Sequence, residues 1–135
     1  MKPYELPACE RIKSKKDFEN IFKRGNTIYS SDNKLKAIYI CNKNSKESGV
    51  KIATAVFKKS GNAVWRNRIK RLIRVSYRLN KKKLAKTCSD KKILLKIVFS
   101  LNTINQNNTQ NVKLNDLQSS IEDIISKMNS TLCTP

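Results

Sequence analysis

Residues 65 to 78 read WRNRIKRLIRVSYR, which sets five arginines and a lysine into fourteen positions without one carboxylate. A guanidinium is a planar fork of donors that matches phosphate oxygens in pairs, which a lysine ammonium does not. The chain has only two other arginines, Arg11 and Arg24, so Arg66, Arg68, Arg71, Arg74 and Arg78 form a concentration and not a background. On a helix turning about 100° per residue, Trp65, Ile69, Leu72 and Ile73 fall in one apolar arc. Arg66, Asn67, Lys70, Arg71, Arg74 and Arg78 sweep the other side, with Arg68 at its edge. A merely solvated helix interleaves Glu with Lys; here Arg66/Lys70 and Lys70/Arg74 place like charges at i,i+4, at a cost of about 0.2–0.5 kcal/mol per pair. A face that tolerates such repulsion points to an anionic partner.

Other chemistries are poorly supplied. There is no histidine, which removes the commonest general base and every Ser–His or Cys–His pair. The cysteines at 9, 41, 88 and 133 form no CxxC pair, so no zinc is expected and free thiols in a reducing compartment are the plain reading. Two-metal hydrolysis of a phosphodiester needs converging carboxylates. Of the ten acids only Asp116, Glu122 and Asp123 are near one another, which disfavours a protein nuclease.

The net charge of +19 points first to nucleic acid. It is also placed. Residues 101 to 135 carry Lys113 and Lys127 against Asp116, Glu122 and Asp123, a net of −1, so the first hundred residues hold +20. No apolar run approaches the roughly 20 residues that span a bilayer. The start, MKPYELPACERIKSKK, lacks the apolar stretch of a signal peptide. A cytoplasmic protein with no membrane partner is the expectation.

Something must hold the arginine helix in place, and 135 residues suffice for one domain. Residues 1–13 read as an irregular lead-in. Ser14 with Asp17 resembles a capping box, KKDFENIFKR as a helix sets Phe18, Ile21 and Phe22 on one face, and Gly25 is a stop signal. By spacing alone the two phenylalanines read as core. Segments 34–41 and 50–57 read as strands, with a weaker one at 27–30. Asn62 is the N-cap of a helix running to about residue 80. KKILLKIVFS (91–100) is a buried-strand pattern, and NTINQNNTQN (102–111) reads as a flexible Asn-rich loop. LNDLQSSIEDIISKM closes as an amphipathic helix with Leu114, Leu117, Ile121, Ile124 and Ile125 on its apolar face. Helix, strands, helix, strand, helix indicates an α+β two-layer sandwich.

The run AVFKKSGNAVWRNRIKRLIR (55–74) resembles the signature of the protein subunit of bacterial ribonuclease P, R-N-R-x-K-R-x-x-R, at Arg66, Asn67, Arg68, Lys70, Arg71 and Arg74. Lys58, Lys59, Gly61, Asn62, Ala63 and Val64 match as well, and RIKSKKDFENIFKRG (11–25) is similar to that family's first helix. The resemblance runs over residues 11 to 78. It implies a mostly antiparallel sheet with a left-handed βαβ crossover, of the ribosomal protein S5 domain 2-like kind, an exception to the right-handed rule. It also implies a subunit of an RNA-based endoribonuclease that removes the 5′ leader of precursor tRNA, the catalytic site and its Mg2+ lying in the RNA subunit and none in the protein. The expected partners are the catalytic ribonuclease P RNA and precursor tRNA. Arg66, Asn67, Arg68, Lys70, Arg71, Arg74, Lys58, Lys59 and Asn62 would face RNA, and Phe18, Phe22 and Tyr39 would line a cleft for the single-stranded leader. A purely structural RNA-binding protein is the rival that composition leaves open.

Overall fold

Two strands rich in β-branched residues run side by side at the centre of the molecule. The computed structural model describes residues 12, 15–43, 48–108 and 111–133. The lead-in and the Ser14 cap lie outside the described residues. In chain order come α1 (Lys15–Arg24), β1 (Asn26–Tyr29), β2 (Leu35–Lys43), β3 (Gly49–Ala55), a 3-10 turn (Lys58–Ser60), α2 (Ala63–Asn80), α3 (Lys82–Lys91), β4 (Ile93–Leu101) and α4 (Leu114–Cys133). The four strands form one sheet in the order β1-β2-β4-β3. β1 and β4 flank β2 antiparallel, whereas β3 joins β4 in parallel. The chain therefore leaves β3 and returns to β4 through α2 and α3, which is the βαβ crossover. The architecture is the expected α+β sandwich, with α1 laid across the outer face of the sheet.

Alternation along the strands decides what each face carries. Leu35, Ala37 and Tyr39 of β2, with Leu95, Ile97 and Phe99 of β4, pack against Trp65, Ile69, Ile73 and Tyr77 of α2 and against Leu117, Ile121 and Ile124 of α4. The opposite face offers Ile38 and Val98, paired across the β2–β4 ladder, to Ile21 of α1. Asp17 is anchored to the same face by Lys96 of β4, Nζ to Oδ1 3.2 Å. The backbone N–H of Ile12 donates to the Ile52 carbonyl at 2.9 Å, so the chain ahead of α1 reaches β3. α1 ends where the N–H of Gly25 donates to the Ile21 carbonyl, and a Cβ on Gly25 would strike that carbonyl and Ile38.

Two sequence expectations change. Residues 82–91 form a helix, α3, where the sequence suggested no element; it buries only Leu84 and Cys88, so its apolar signal is thin. Lys81 stays in the right-handed helical region between α2 and α3, and Lys92 then closes α3 in the left-handed region (φ 55°). The Asn-rich segment is also more than a tether. Ile104 is buried, Asn105 and Asn108 exchange backbone-to-side-chain hydrogen bonds of 2.9 Å, and the N–H of Gln106 donates to the Ser60 carbonyl at 2.7 Å. Among the described residues, no helix is long and apolar enough to cross a membrane.

Candidate nucleic-acid interface

The arginine helix starts from a built cap. Asn62 Oδ1 accepts the Trp65 N–H at 2.9 Å, and the Asn62 N–H donates to Gln106 Oε1 at 2.8 Å. Gly61 is extended and unstrained; it is needed for space, since a Cβ there would come within 2.7 Å of the Trp65 ring and 2.8 Å of Gln106 Oε1. Trp65, Ile69 and Ile73 bury the apolar arc as the spacing predicts. Asn67, Arg68 and Arg71 are exposed, and Arg66, Lys70, Arg74 and Arg78 are half-buried along the same outward side.

Two of the signature arginines also hold the fold. Arg66 Nε donates to the Gly61 carbonyl at 3.0 Å, closing the turn ahead of α2. Arg68 grips the Val112 carbonyl through Nε (3.2 Å) and Nη2 (2.9 Å), tying α2 to the lead into α4. Asn62 likewise has a capping role of its own. These three are structural members of the basic face, whatever else they touch.

The second surface lies across the sheet. Phe18 and Phe22, one helical turn apart on α1, pack with ring centroids 4.9 Å apart. Phe18 leans on the small α1-side core, while Phe22 keeps 37% of its area in solvent. Phe57, just past β3, extends the row at 6.4 Å from Phe22 and is 52% exposed. Lys58 and Lys59 follow it at the surface, in the 3-10 turn that leads to α2. Beyond Phe57 a cavity of about 300 Å³ opens, bordered by Lys36, Lys59 and Asn102.

Tyr39 does not join this row. It lies directly opposite Ile97, is 7% exposed, and packs in the core beneath α2 and α4. The cause is strand parity: neighbouring residues of β2 point to opposite faces, and Ile38 takes the α1 side. Phe57 is the aromatic that sequence reasoning missed, because AVF reads as the buried end of a strand.

Four carboxylates, Asp17, Asp32, Asp116 and Asp123, are tied into the fold. Burial raises the Asp123 carboxyl, but bonds from the Ser31 N–H and hydroxyl and from Lys127 outweigh it and bring its pKa below the ordinary value. Burial likewise raises Asp32, and the Ser30 and Ser120 hydroxyls with the backbone N–H and charge of Lys34 more than offset it. Asp116 accepts the Lys113 N–H at 3.0 Å. Among the described residues no three of Cys, Asp and Glu are grouped so as to hold a metal ion.

A family model, Ribonuclease P, matches residues 6–129. A ribonuclease P protein component from Alkaliphilus metalliredigens is 36% identical over 123 residues, covering 91% of this chain and 96% of that one. Among solved structures, the RNase P protein of Staphylococcus aureus superposes with a TM-score of 0.66 at 24% identity, over 88% of this chain and 94% of that one. The RNase P protein of Thermotoga maritima gives 0.68 at 20% identity, over 87% and 96%.

Proposed function

The chain belongs to the ribonuclease P protein family, and from that membership we propose that it binds the catalytic RNA of ribonuclease P and the single-stranded 5′ leader of precursor tRNA. The observation that carries the reading is the pairing of two surfaces across one sheet. A basic, arginine-rich helix faces one way, an exposed phenylalanine row the other, and Lys58 and Lys59 join them.

Each surface has a distinct task. Arg71, Arg74 and Lys70, with Asn67, offer fork and point donors to phosphates of the folded RNA. Arg66 and Arg68 fix the N-terminal part of α2 to Gly61 and to the lead into α4 and lend their remaining guanidinium donors to the same face. Phe18, Phe22 and Phe57 give flat apolar supports on which leader bases stack, while Lys36 and Lys59 attend the backbone. Stacking is sequence-tolerant because every base has a π-face, which suits an enzyme acting on many leaders.

The protein supplies position and charge. Two polyanions must be held together, and the basic field lowers their mutual repulsion. The phosphodiester is cut in the RNA subunit, and the Mg2+ that supports the cut is bound there. No step runs through a protein carboxylate.

The test is reconstitution at low magnesium, with a bacterial ribonuclease P RNA cutting precursor tRNA with and without this protein. Stimulation with the cut at the mature 5′ end supports the reading. Retained RNA binding with no stimulation by a cognate RNA would assign the chain a purely structural RNA-binding role. Cleavage without the RNA subunit would overturn both.

A further inference from the structure

Between α2 and the start of α4 lies a cavity of about 420 Å³ that the assembly described above does not use. Its floor is aliphatic, from Leu72, Val75, Leu79 and Leu114, and its rim carries Arg68, Arg71 and Arg78. Three features set it apart from an ordinary helix–helix groove. Leu79 leaves 58% of its area in water although the helix has a buried face available. Arg68 is fixed by its two hydrogen bonds to the Val112 carbonyl, so one wall is preorganised. Arg78 has a guanidinium nitrogen, Nη1, that is shielded from solvent and donates to no acceptor among the described residues.

An occupant must combine a flat or compact apolar body with an anionic group. We propose that this cavity seats one unstacked nucleotide of the catalytic RNA, its base on the aliphatic floor and its phosphate against the arginine rim. The inference rests on the reading of α2 as the RNA-facing helix. It adds a pocket for a base to what would otherwise be phosphate contacts alone.

The size fits, since small-ligand sites span roughly 300–1,000 Å³. That admits a single nucleotide and excludes a helix. The charge fits, because guanidinium planes both pair with phosphate and stack on bases. Continuity fits too: Asn67, Lys70 and Arg74 border the same outward side of α2. A base able to enter must come from a bulge, loop or end, because a paired base has no free face.

The two terms differ in salt dependence. Phosphate contacts release counterions and steepen the dependence of binding on salt, whereas burying a base on aliphatic groups does not. The test is therefore a cavity filled from two sides, Val75→Trp on α2 and Leu114→Trp on α4. Affinity for the catalytic RNA is measured across a salt series, with chemical probing of the RNA bases in each complex. Each variant is expected to weaken binding roughly fivefold or more with an unchanged salt slope. Each should also abolish a base-reactivity change seen with the unaltered protein. Arg74→Ala, outside the cavity, is run beside them and should lower the slope by about one.

If both filled variants melt like the parent and bind with parental affinity and footprint, the seated nucleotide is refuted. In that case a normal Arg74→Ala effect leaves the RNA-facing reading of α2 standing, and no Arg74→Ala effect removes that reading as well. Should either tryptophan unfold the protein, Leu79→Ser decides the matter from an already exposed position. Weaker binding at constant slope supports the pocket, and parental binding overturns it.

Discussion

Phe57 is the sharpest place to perturb the proposed leader cleft. With 52% of the residue already in solvent, Phe57→Ala forfeits only about half of a full aromatic burial, on the order of 1–1.5 kcal/mol. Its edge contact with Phe22, centroids 6.4 Å apart, adds about 0.5–1.5 kcal/mol. A domain with roughly 5–15 kcal/mol of stability remains folded after that loss. Should one leader base stack on this ring, its removal costs about 1–3 kcal/mol of binding, or roughly 5- to 150-fold in Kd. The assay compares holoenzyme affinity for precursor tRNA with affinity for the same tRNA lacking a leader, and then shortens the leader a nucleotide at a time. Phe57→Ala should weaken the precursor only, and the deficit should vanish once the leader no longer reaches the ring. Equal weakening of both tRNAs, or no weakening of either, refutes the assignment.

Further expectations follow from the same geometry. Arg68→Ala removes two hydrogen bonds to the Val112 carbonyl and should lower stability by about 1 kcal/mol, a fall in Tm of about 3–5 °C, whereas Arg74→Ala should leave Tm unchanged and lower the salt slope of RNA binding; thermal melts and salt titrations separate the two. Gly61→Ala forces a methyl against the Trp65 ring and Gln106, and urea denaturation should show a loss of about 1–3 kcal/mol. Asp123 has a folded pKa below its unfolded one, so its contribution is fully present above the unfolded carboxylate value near about 3.9 and is lost as pH falls through the folded value. Stability measured from pH 5 downward should therefore decline, and less steeply in Asp123→Asn. Cys88 is pushed up to about 11, first by burial and then by its neighbour Cys41, so alkylation at neutral pH should label it only after unfolding, as mass spectrometry of native and denatured samples will report.

What could be read from sequence follows the strength of local physics. α2 was legible because its apolar arc, its Asn62 cap and its run of cations all agree, and one helical period accounts for Trp65, Ile69 and Ile73 inside and the cations outside. α4 was legible for the same reason. β2 was harder: Ala37, Ile38, Tyr39 and Ile40 are apolar in succession because both faces of the strand are covered. Such a run hides parity, and parity alone sends Tyr39 inward. Phe57 was missed because its exposure depends on the chain turning out of β3 immediately after Val56. The double role of Arg68 had no sequence signal, since its partner Val112 lies 44 positions away. Gln106, which closes the turn carrying Lys58 and Lys59, was concealed in low-complexity sequence for the same reason.

The proposal of two RNA-facing surfaces across one sheet is tested most directly by tethered hydroxyl-radical probing of the assembled holoenzyme with precursor tRNA. One iron–EDTA group is placed at an Asn67→Cys site on α2 and another at a Phe57→Cys site beside the aromatic row, in a background whose native cysteines are replaced by serine or alanine. The α2 probe is expected to cut the catalytic RNA and spare the leader, and the Phe57 probe to cut the leader within a few nucleotides of the cleavage site. Cuts in the leader from α2, or none in the leader from Phe57, would contradict the division of labour between the two surfaces.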